Sequence, residues 1–447
     1  MQSTGSAGPD DGKRKKRGEG MKQNPDSYLL YEANKFITYN IRIKLVMTAP
    51  INVTALKKAA QIAIKRFPYY AKEIKLHADG SIDLIENPRP LTVAPATSAH
   101  TRLGAAEVNF HLCSIEYEGD TIYFNMYHGL CGGCGVMFWI KSTLYHYVQE
   151  AFGVTPEKGN IKTADTPFAP GETDYPDPDK LPNDPPVGTV KKDFCYIPAA
   201  DYARQILKTP FKDCRYFELE LQTKDFMKYA RSNDGSPNSI LSSLMFRALC
   251  KVTSPSVAKA IRGNILCNYR ADVGCPETYH DLIRLLSVYY PRELETRDIE
   301  YLSTITRSMM YLQMQPEFSV ESFRATYRSK SGIDTVKGLA KKKLYATSHS
   351  SFTKPPVGSF LISYVGKEDW AGLEDYIARI HCITDGHLMV EVNTLRDKFY
   401  LTFMEMNPDH KFYDAFCEAM REVGIEYREF GGFDRNLAYT VLPKKSS

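Results

Sequence analysis

The amino-acid sequence predicts an α/β protein whose sheets are mixed and whose chain is arranged as two subdomains. Strand-like segments rich in β-branched and aromatic residues alternate with helix-like segments whose apolar residues recur every three or four positions. The two halves of the chain repeat an approximate order of strand, amphipathic helix, hairpins, strand and helix. The length of 447 residues, of which 43% are hydrophobic, suffices for two domains or for one large fold with two halves.

Composition excludes several classes of protein and of binding partner. The formal net charge of +4 is small for this length and gives no indication of a nucleic-acid-binding surface. No stretch is long and apolar enough to span a bilayer, and the N-terminus lacks the apolar core of a secretory signal. Ten cysteines without a short repeating frame favour reduced thiols in a cytoplasmic protein over a disulfide scaffold.

Shifts in composition along the chain predict where the tail, the two subdomains and the linker between them begin and end. The polar N-terminus, with the basic run "KRKKRGEG", is typical of a disordered tail, and a nuclear or membrane-surface signal is the alternative. A Pro- and Asp-dense stretch in the middle of the chain predicts a crossover linker. The predicted tail, N-terminal subdomain, linker and C-terminal subdomain are residues 1–22, 23–161, 162–192 and 193–447.

In the first half, periodicity and turn residues predict a strand, a capped helix, two hairpins and a second helix. Asn52 can cap the first helix, and Pro68 stops it. Asp79-Gly80 and Gly119-Asp120 are typical of hairpin turns. In order, the strand covers 36–49, the first helix follows Asn52, the hairpins cover 70–86 and 108–128, and the second helix covers 135–152.

In the second half, the same criteria predict five helical segments, four single strands and one hairpin. The last helix has an apolar face and ends at Gly424. The helical segments are 224–232, 236–252, 293–314, 320–347 and 407–424; the strands are 216–222, 264–270, 359–367 and 398–406; the hairpin is 377–395.

The stretch "YHGLCGGCGVMFW" combines the end of a predicted strand, a histidine, a glycine-rich turn and the start of a helix. Unpaired amides at a helix start can bind a developing negative charge. An imidazole titrates near neutrality and can take a proton from an alcohol or an amine. His128 and the amides around Gly132 and Gly133 could therefore supply a base and an oxyanion site. A hydrogen-bonded structural histidine in a tight turn is the alternative.

The segment "YHGLCGG" resembles the HxxxDG motif of the chloramphenicol-acetyltransferase-like acyltransferases. This superfamily includes alcohol O-acyltransferases, plant BAHD acyltransferases and the condensation domains of peptide synthetases. Segments Ala55–Ile74, Ile265–Val273 and Ile362–Lys367 are similar to its first helix, its "v-N-x-R" strand and its "s-N-x-G" strand. In order and spacing, the resemblance covers about residues 25–425.

The resemblance implies two subdomains with mixed sheets around a central tunnel, in which an acyl thioester, usually acyl-CoA, meets a small-molecule acceptor. It implies that His128 is the general base, that acyl-CoA is a co-substrate, and that no metal or bound cofactor takes part. Asn268, Ser363 and Tyr364 lie on strands that would reach the tunnel and are candidate pocket residues. A condensation-type enzyme using an acyl carrier protein and a non-catalytic binding protein of the same fold are the alternatives.

The chain departs from the motif at one position, because Gly132 stands where the family has its aspartate. In the family this acid is mostly structural and pairs with an arginine, which Arg270 resembles by position. A buried arginine that loses its acid can cost roughly 3–5 kcal/mol. Another acid or carbonyl could pair with Arg270, water could do so, or the enzyme is impaired. If it is impaired, Gly132→Asp should raise both the melting temperature and the activity.

Two other strings compete with this site. "HCITDG", from His381 to Gly386, matches HxxxDG letter for letter. It lies between two predicted strands with Asp385-Gly386 placed for a two-residue turn, so we predict a hairpin there. "CGGC", from Cys131 to Cys134, could be a redox or metal pair. Because no second Cys-x-x-Cys exists, small residues lining a tight turn are the preferred interpretation.

Overall fold

The structure, a computed structural model, describes residues 25–35, 37–182, 195–196, 215–349, 358–364, 366–407 and 409–443. The predicted tail and the second part of the predicted linker lie outside these residues. The described residues form strands β1 (Asn40–Met47), β2 (Lys72–Leu76), β3 (Ile82–Glu86), β4 (Val93–Pro95), β5 (Arg102–Leu103), β6 (Cys113–Glu118), β7 (Thr121–Tyr127), β8 (Arg215–Gln222), β9 (Ala260–Asn268), β10 (Ile283–Pro291), β11 (Phe360–Ser363), β12 (Ile377–Ile383), β13 (Leu388–Leu395), β14 (Lys398–Glu405), β15 (Arg428–Asp434) and β16 (Tyr439–Thr440). Their α-helices are α1 (Val53–Ile64), α2 (Gly133–Phe152), α3 (Thr223–Ser232), α4 (Pro237–Val252), α5 (Ile299–Gln313), α6 (Pro316–Ser331), α7 (Leu339–His349) and α8 (Lys411–Glu422).

The first large sheet has the strand order β12-β1-β7-β6-β4 and is mixed, because β4 runs parallel to β6 while the other neighbours are antiparallel. Its apolar side chains share one core with α1 and α2. The ring of Phe124 on β7 meets that of Trp139 on α2 edge to face at 5.2 Å. As predicted, Asn52 caps α1, since its side chain accepts a hydrogen bond from the Ala55 amide.

The second large sheet has the order β10-β9-β11-β13-β14-β8-β15. It is also mixed, because β11 runs parallel to both of its neighbours. Helices α4 and α8 bury their apolar residues in its core, where Phe403 of β14 contacts Phe416 of α8 with ring centroids 5.1 Å apart. The predicted α/β class with mixed sheets is therefore confirmed.

Two predicted elements differ from the structure. The hairpin over 377–395 is wrong, because β12 pairs with β1 in the first sheet while β13 pairs with β11 and β14 in the second. The chain passes between the sheets at the residues predicted to form a tight turn. The single helix over 320–347 is also wrong: α6 ends at Ser331 and α7 begins at Leu339, after Gly338 in the left-handed region with φ of +89°.

The described part of the predicted linker contains neither helix nor strand, as expected, but it does pack. Glu172 is almost fully buried, and its carboxylate pairs with Arg66, just beyond α1, at 2.6 Å. Lys162 lies 3.2 Å from the same carboxylate. The expectation that little of this stretch packs is therefore wrong at Glu172. In the described part of the chain, no helix combines the length and the apolar character needed to cross a bilayer.

Candidate active site

His128 follows the last residue of β7. Its backbone amide donates to the Tyr39 carbonyl at 2.7 Å, so the pairing of β7 with β1 fixes where the residue lies. Helix α2 begins five residues later, at Gly133. The imidazole is 31% exposed, which leaves it both anchored in the fold and open to a ligand.

An acid close to this imidazole comes from the segment that leads into β10 of the other large sheet. Nδ1 of His128 lies 3.4 Å from Oδ2 of Asp281, which is two residues before β10. Within the described residues, neither this Nδ1 nor Oδ1 of Asp281 has a hydrogen-bond partner, and both atoms are buried. Because Nδ1 is buried while the side chain is partly exposed, the exposed part of the ring faces away from Asp281.

Gly132 leaves the space that the Asp281 side chain occupies. A Cβ atom added to Gly132 would lie 3.0 Å from Cγ of Asp281 and closer still to its Oδ1. The backbone of Gly132, with φ of −85° and ψ of −177°, is extended and open to any residue. A side chain at position 132 would therefore have to displace the Asp281 carboxylate, and glycine leaves room for that carboxylate by its size and not by its conformation. In contrast, nothing lies within 4 Å of a Cβ added to Gly133, which is exposed.

Arg270 is paired with a backbone carbonyl. The side chain is buried, and its Nε and Nη2 donate to the His280 carbonyl at 3.1 and 2.7 Å. Of the alternatives that the sequence left open, a carbonyl partner is the one that the geometry provides. This carbonyl belongs to the residue immediately before Asp281, so Arg270 holds the backbone that carries the acid.

The three candidate pocket residues lie at one end of the second sheet. Because β11 runs parallel to β9, Ser363 and Tyr364 fall at the same edge as Asn268. Nδ2 of Asn268 lies 4.0 Å from the Cys134 sulfur, in the first turn of α2. Ser363 is buried opposite Glu391, and Tyr364 packs against Phe399. Asn268 thus contacts the helix that follows His128.

The literal HxxxDG string serves the packing between the sheets. His381 is fully buried, its Nδ1 lies 3.2 Å from the Thr402 hydroxyl, and burial lowers its pKa well below the ordinary value. Asp385 accepts hydrogen bonds from the Thr38 hydroxyl and the Tyr39 amide, just before β1. A buried histidine followed by a strand cannot provide the base and helix start that the chemistry needs.

The "CGGC" cysteines are free thiols that line the turn. Cys131 is buried and Cys134 half-buried. Burial raises the pKa of both thiols, the opposite of what a reactive thiolate needs. Among the described residues, no three His, Cys, Asp or Glu side chains are grouped so that they could hold a metal ion.

Sequence reasoning missed Asp281. The acid stands in "TYHDLI", 153 positions away from His128, and no spacing rule connects the two. The only signal was negative, namely that Gly132 left the motif without its acid. The arrangement as a whole offers an imidazole with an acid at Nδ1, a free ring edge and a helix start without a side-chain cap. Together these groups can accept a proton and stabilise an oxyanion.

Comparisons with known proteins identify the fold. No protein-family model matches the chain, and no curated protein matches its sequence. Solved structures do match. The TRI101 protein of F. graminearum, solved with coenzyme A and deoxynivalenol, is 13% identical with a TM-score of 0.57, over 90% of this chain and 98% of that one.

Two further neighbours agree. The TRI3 trichothecene 15-O-acetyltransferase from Fusarium sporotrichioides is 11% identical with a TM-score of 0.56, over 89% of this chain and 94% of that one. Polyketide synthase associated protein 5 from Mycobacterium tuberculosis is 13% identical with a TM-score of 0.52, over 91% and 97%. At these identities the likeness establishes the fold, and the chain has the chloramphenicol-acetyltransferase-like fold that the motifs suggested.

Proposed function

We propose that this protein is an acyltransferase that moves an acyl group from a CoA thioester to an alcohol or amine acceptor, with His128 as the general base. The observation that carries the proposal is the partly exposed imidazole at the end of β7, beside the uncapped start of α2, in a fold shared with acyltransferases. Neighbours of this fold were crystallised with coenzyme A, which supports acyl-CoA as the co-substrate here.

The chemistry follows from the groups in place. Nε2 of His128 takes the proton of the acceptor hydroxyl or amine, whose oxygen or nitrogen then bonds to the thioester carbonyl carbon. The carbonyl oxygen becomes negative and is stabilised by amides at the start of α2, near Gly132 and Gly133. When the carbon–sulfur bond breaks, the thiolate takes the proton from the imidazolium. The products are the acylated acceptor and free thiol.

Arg270 acts as a structural strut in this proposal, because its guanidinium is buried and donates to a backbone carbonyl. Asn268, Ser363 and Tyr364 remain candidates for contacts with substrate at the edge of the second sheet. Of these, Asn268 is the first to test, since it contacts Cys134 in the first turn of α2.

A carrier-bound donor is the second candidate. A nonribosomal peptide synthetase, FmoA3, shares the fold with 12% identity and a TM-score of 0.50, over 92% of this chain and 44% of that one. The same base and helix start could serve an acyl group delivered on a carrier protein. The third candidate, a non-catalytic binding protein, depended on the loss of the motif acid, and Asp281 beside His128 weakens it.

The test is a free-thiol release assay with acetyl-CoA, longer acyl-CoAs and an acylated carrier protein, each offered to a panel of alcohols and amines. We expect turnover with at least one pair and a fall of roughly 10²–10⁴-fold in His128→Ala. His146→Ala is the matched control, because this histidine lies on α2 and contacts Gln149 instead of the site.

Two outcomes would contradict the proposal. One is thiol release in His128→Ala at the wild-type rate, which would exclude this imidazole as the base. The other is tight binding of acyl-CoA, measured by calorimetry, without turnover on any acceptor of the panel, which would favour the binding protein.

A further inference from the structure

We propose that Asp281 replaces the acid missing from position 132 and that it positions the His128 imidazole for proton transfer. Asp281 is a positioning residue in this inference, because it contacts the base and not the reacting atoms. The inference rests on the proposed function of His128. Its structural part is that a side chain at 132 and the carboxylate of Asp281 exclude each other, and this part can be tested without an activity assay.

The first argument is the shared space. An added Cβ on Gly132 would lie 3.0 Å from Cγ of Asp281, tighter than most Cβ contacts, and closer to its Oδ1 than Cβ atoms approach other heavy atoms, so the carboxylate would have to shift. An aspartate at 132 would also bring a second carboxylate beside the first, and like charges at this distance repel. The site therefore holds either an acid at position 132 or the acid at position 281, but not both at once.

The second argument is that the backbone around Asp281 is held on both sides. Before it, the His280 carbonyl accepts two hydrogen bonds from Arg270, the longer at 3.1 Å. After it, the Leu282 carbonyl accepts from the Tyr269 amide at 3.1 Å. An acid that only filled a gap would not need such fixing, whereas an acid that orients a ring does.

The third argument is a residue that fixes the acid and the base relative to each other. The buried carboxylate of Asp26 lies 2.7 Å from Nδ1 of His280 and accepts from the Tyr279 hydroxyl at 2.8 Å. Its backbone carbonyl accepts from the hydroxyl of Tyr127, the residue before His128, at 3.1 Å. One buried residue thus joins the segment before the acid to the segment before the base.

The chemistry of the contact gives Asp281 its role. A carboxylate at Nδ1 favours the tautomer that carries its proton on Nδ1, which leaves the Nε2 lone pair free for the acceptor. It also stabilises the imidazolium that forms when Nε2 takes the proton. The proton passes from the acceptor to Nε2 and then to the leaving thiolate, without passing to Asp281.

The test of this role compares Asp281→Asn with wild type by ¹⁵N spectra of histidine-labelled protein and by steady-state kinetics. We expect the His128 signal of wild type to report the Nδ1–H tautomer. In the variant the Nε2–H tautomer becomes populated, because an asparagine amide can donate to Nδ1. With it, kcat falls by at least about tenfold while KM changes by less than about twofold. Glu277→Gln, an exposed acid of the same β9–β10 connection, is the matched control and should change neither readout.

Thermal unfolding tests whether an acid at 132 and the acid at 281 exclude each other, a relation that we call the exchange. The proteins compared are wild type, Gly132→Asp, Asp281→Gly and the double variant. We expect Gly132→Asp to lower Tm in the wild-type background, opposite to the gain expected if Gly132 marks an impaired enzyme. In the Asp281→Gly background the same substitution should lose at least about half of that penalty, because the competing carboxylate is gone.

The outcomes separate this inference from the proposed function. Equal Tm penalties for Gly132→Asp in both backgrounds would overturn the exchange. An unchanged tautomer and kcat in Asp281→Asn would overturn the positioning role, even if His128→Ala is inactive. Full activity in His128→Ala would overturn the proposed function and with it the positioning role of Asp281, but not the mutual exclusion of the two side chains, since the Tm coupling between 132 and 281 is measured independently.

Discussion

Buried carboxylates in this chain hold different protonation states, depending on the partners that the fold gives them. Burial alone raises the pKa of Glu172, but hydrogen bonds from Arg66 and the Ala169 amide and the charge of Lys162 outweigh it and lower the pKa to about 2. Among the residues that the structure describes, none supplies such a cation to Glu391. Burial raises its pKa to about 8, although the hydrogen bond from Ser363 acts in the opposite direction. Position in the fold, and not residue type, therefore decides the charge.

Glu391→Gln tests this assignment. In the folded protein Glu391 keeps its proton up to about pH 8, whereas in the unfolded chain it loses it near its ordinary pKa of 4.5. The folded state therefore binds more protons in this window, and Glu391 makes the protein less stable as pH rises from about 4.5 to about 8. The neutral glutamine should remove this loss and stabilise the protein at pH 8 by up to about 4 kcal/mol.

The measurement is urea unfolding at pH 5 and pH 8. Glu300→Gln, an exposed glutamate of α5, is the control and should leave the pH dependence of wild type in place. A Glu391→Gln variant whose stability falls with pH as steeply as that of wild type would contradict the raised pKa.

At the level of single residues, the sequence indicated His128 but not the acid beside it. The histidine is visible because strand, turn and helix signals surround it within thirteen residues, from Tyr127 to Trp139. Asp281 is invisible because its role comes from tertiary packing, in which β10 and the turn after β7 meet. The same packing shows that the glycine at 132, which seemed a loss in the sequence, leaves the space that the Asp281 carboxylate occupies.

Among the elements, the start of α2 is the one on which the proposed chemistry depends. Gly132 precedes the helix in an extended conformation and, in the described structure, no side chain accepts from the first amides. The turn therefore presents backbone donors beside the imidazole. Glycine at 133 adds open space over these donors, since nothing lies within 4 Å of a Cβ built there.

Gly133→Pro tests the role of the Gly133 backbone amide as an oxyanion donor. Proline is well tolerated at the first position of a helix, and the extended backbone of Gly132 suits a residue before proline. The variant should fold with an unchanged Tm but lose roughly 10²-fold in kcat, because it lacks one oxyanion donor. Gly133→Ala keeps the N–H and should retain most of the activity. Equal activity of the two variants in the thiol-release assay would exclude this amide.

Helices, strands and turns could be predicted where they depend on neighbouring residues. The prediction failed where strands pair with segments far away in the sequence. The cap at Asn52 and the turns at Gly80 and Gly119 depend on neighbouring residues, and the structure has them as predicted. The residues around Asp385 carry the same turn chemistry. Strands β12 and β13 nevertheless find partners in different sheets, because Asp385 binds the segment before β1 instead of closing a hairpin.

Across the whole molecule, the two large sheets meet through buried charges. Nζ of Lys44, on β1, lies 2.7 Å from Oε1 of Glu218, on β8, and both side chains are almost fully buried. The Lys44 ammonium also lies 4.1 Å from the centroid of the Phe433 ring, on β15. A buried pair of this kind fixes how two sheets are placed relative to each other more than it adds stability.

We expect Lys44→Met to destabilise the protein by roughly 3–5 kcal/mol, because it leaves the Glu218 carboxylate buried without its cation. The double variant Lys44→Met with Glu218→Leu should recover most of that loss, since it removes both charges of the pair. Chemical unfolding of the two variants measures the difference. If the double variant were as unstable as the single one, the loss would come from packing and not from an unpaired charge.

The fold as a whole was within reach of the sequence because several weak motifs occur in the right order. That order places the base at the end of a strand in the first sheet and Arg270 just after β9 in the second. It does not place the acid, which this chain carries on the second sheet's side of the site. The likeness to solved structures therefore establishes the fold, and the proposed proton transfer depends on this chain's own contacts.

Chemical rescue tests the central claim most directly. We would measure thiol release by His128→Gly with and without added imidazole, using the acyl-CoA and acceptor on which wild type is active. If His128 is the general base, free imidazole should restore a saturable part of the lost rate in His128→Gly and leave wild type unchanged. A folded His128→Gly variant that stays inactive at every imidazole concentration, or that needs none to match wild type, would contradict the account.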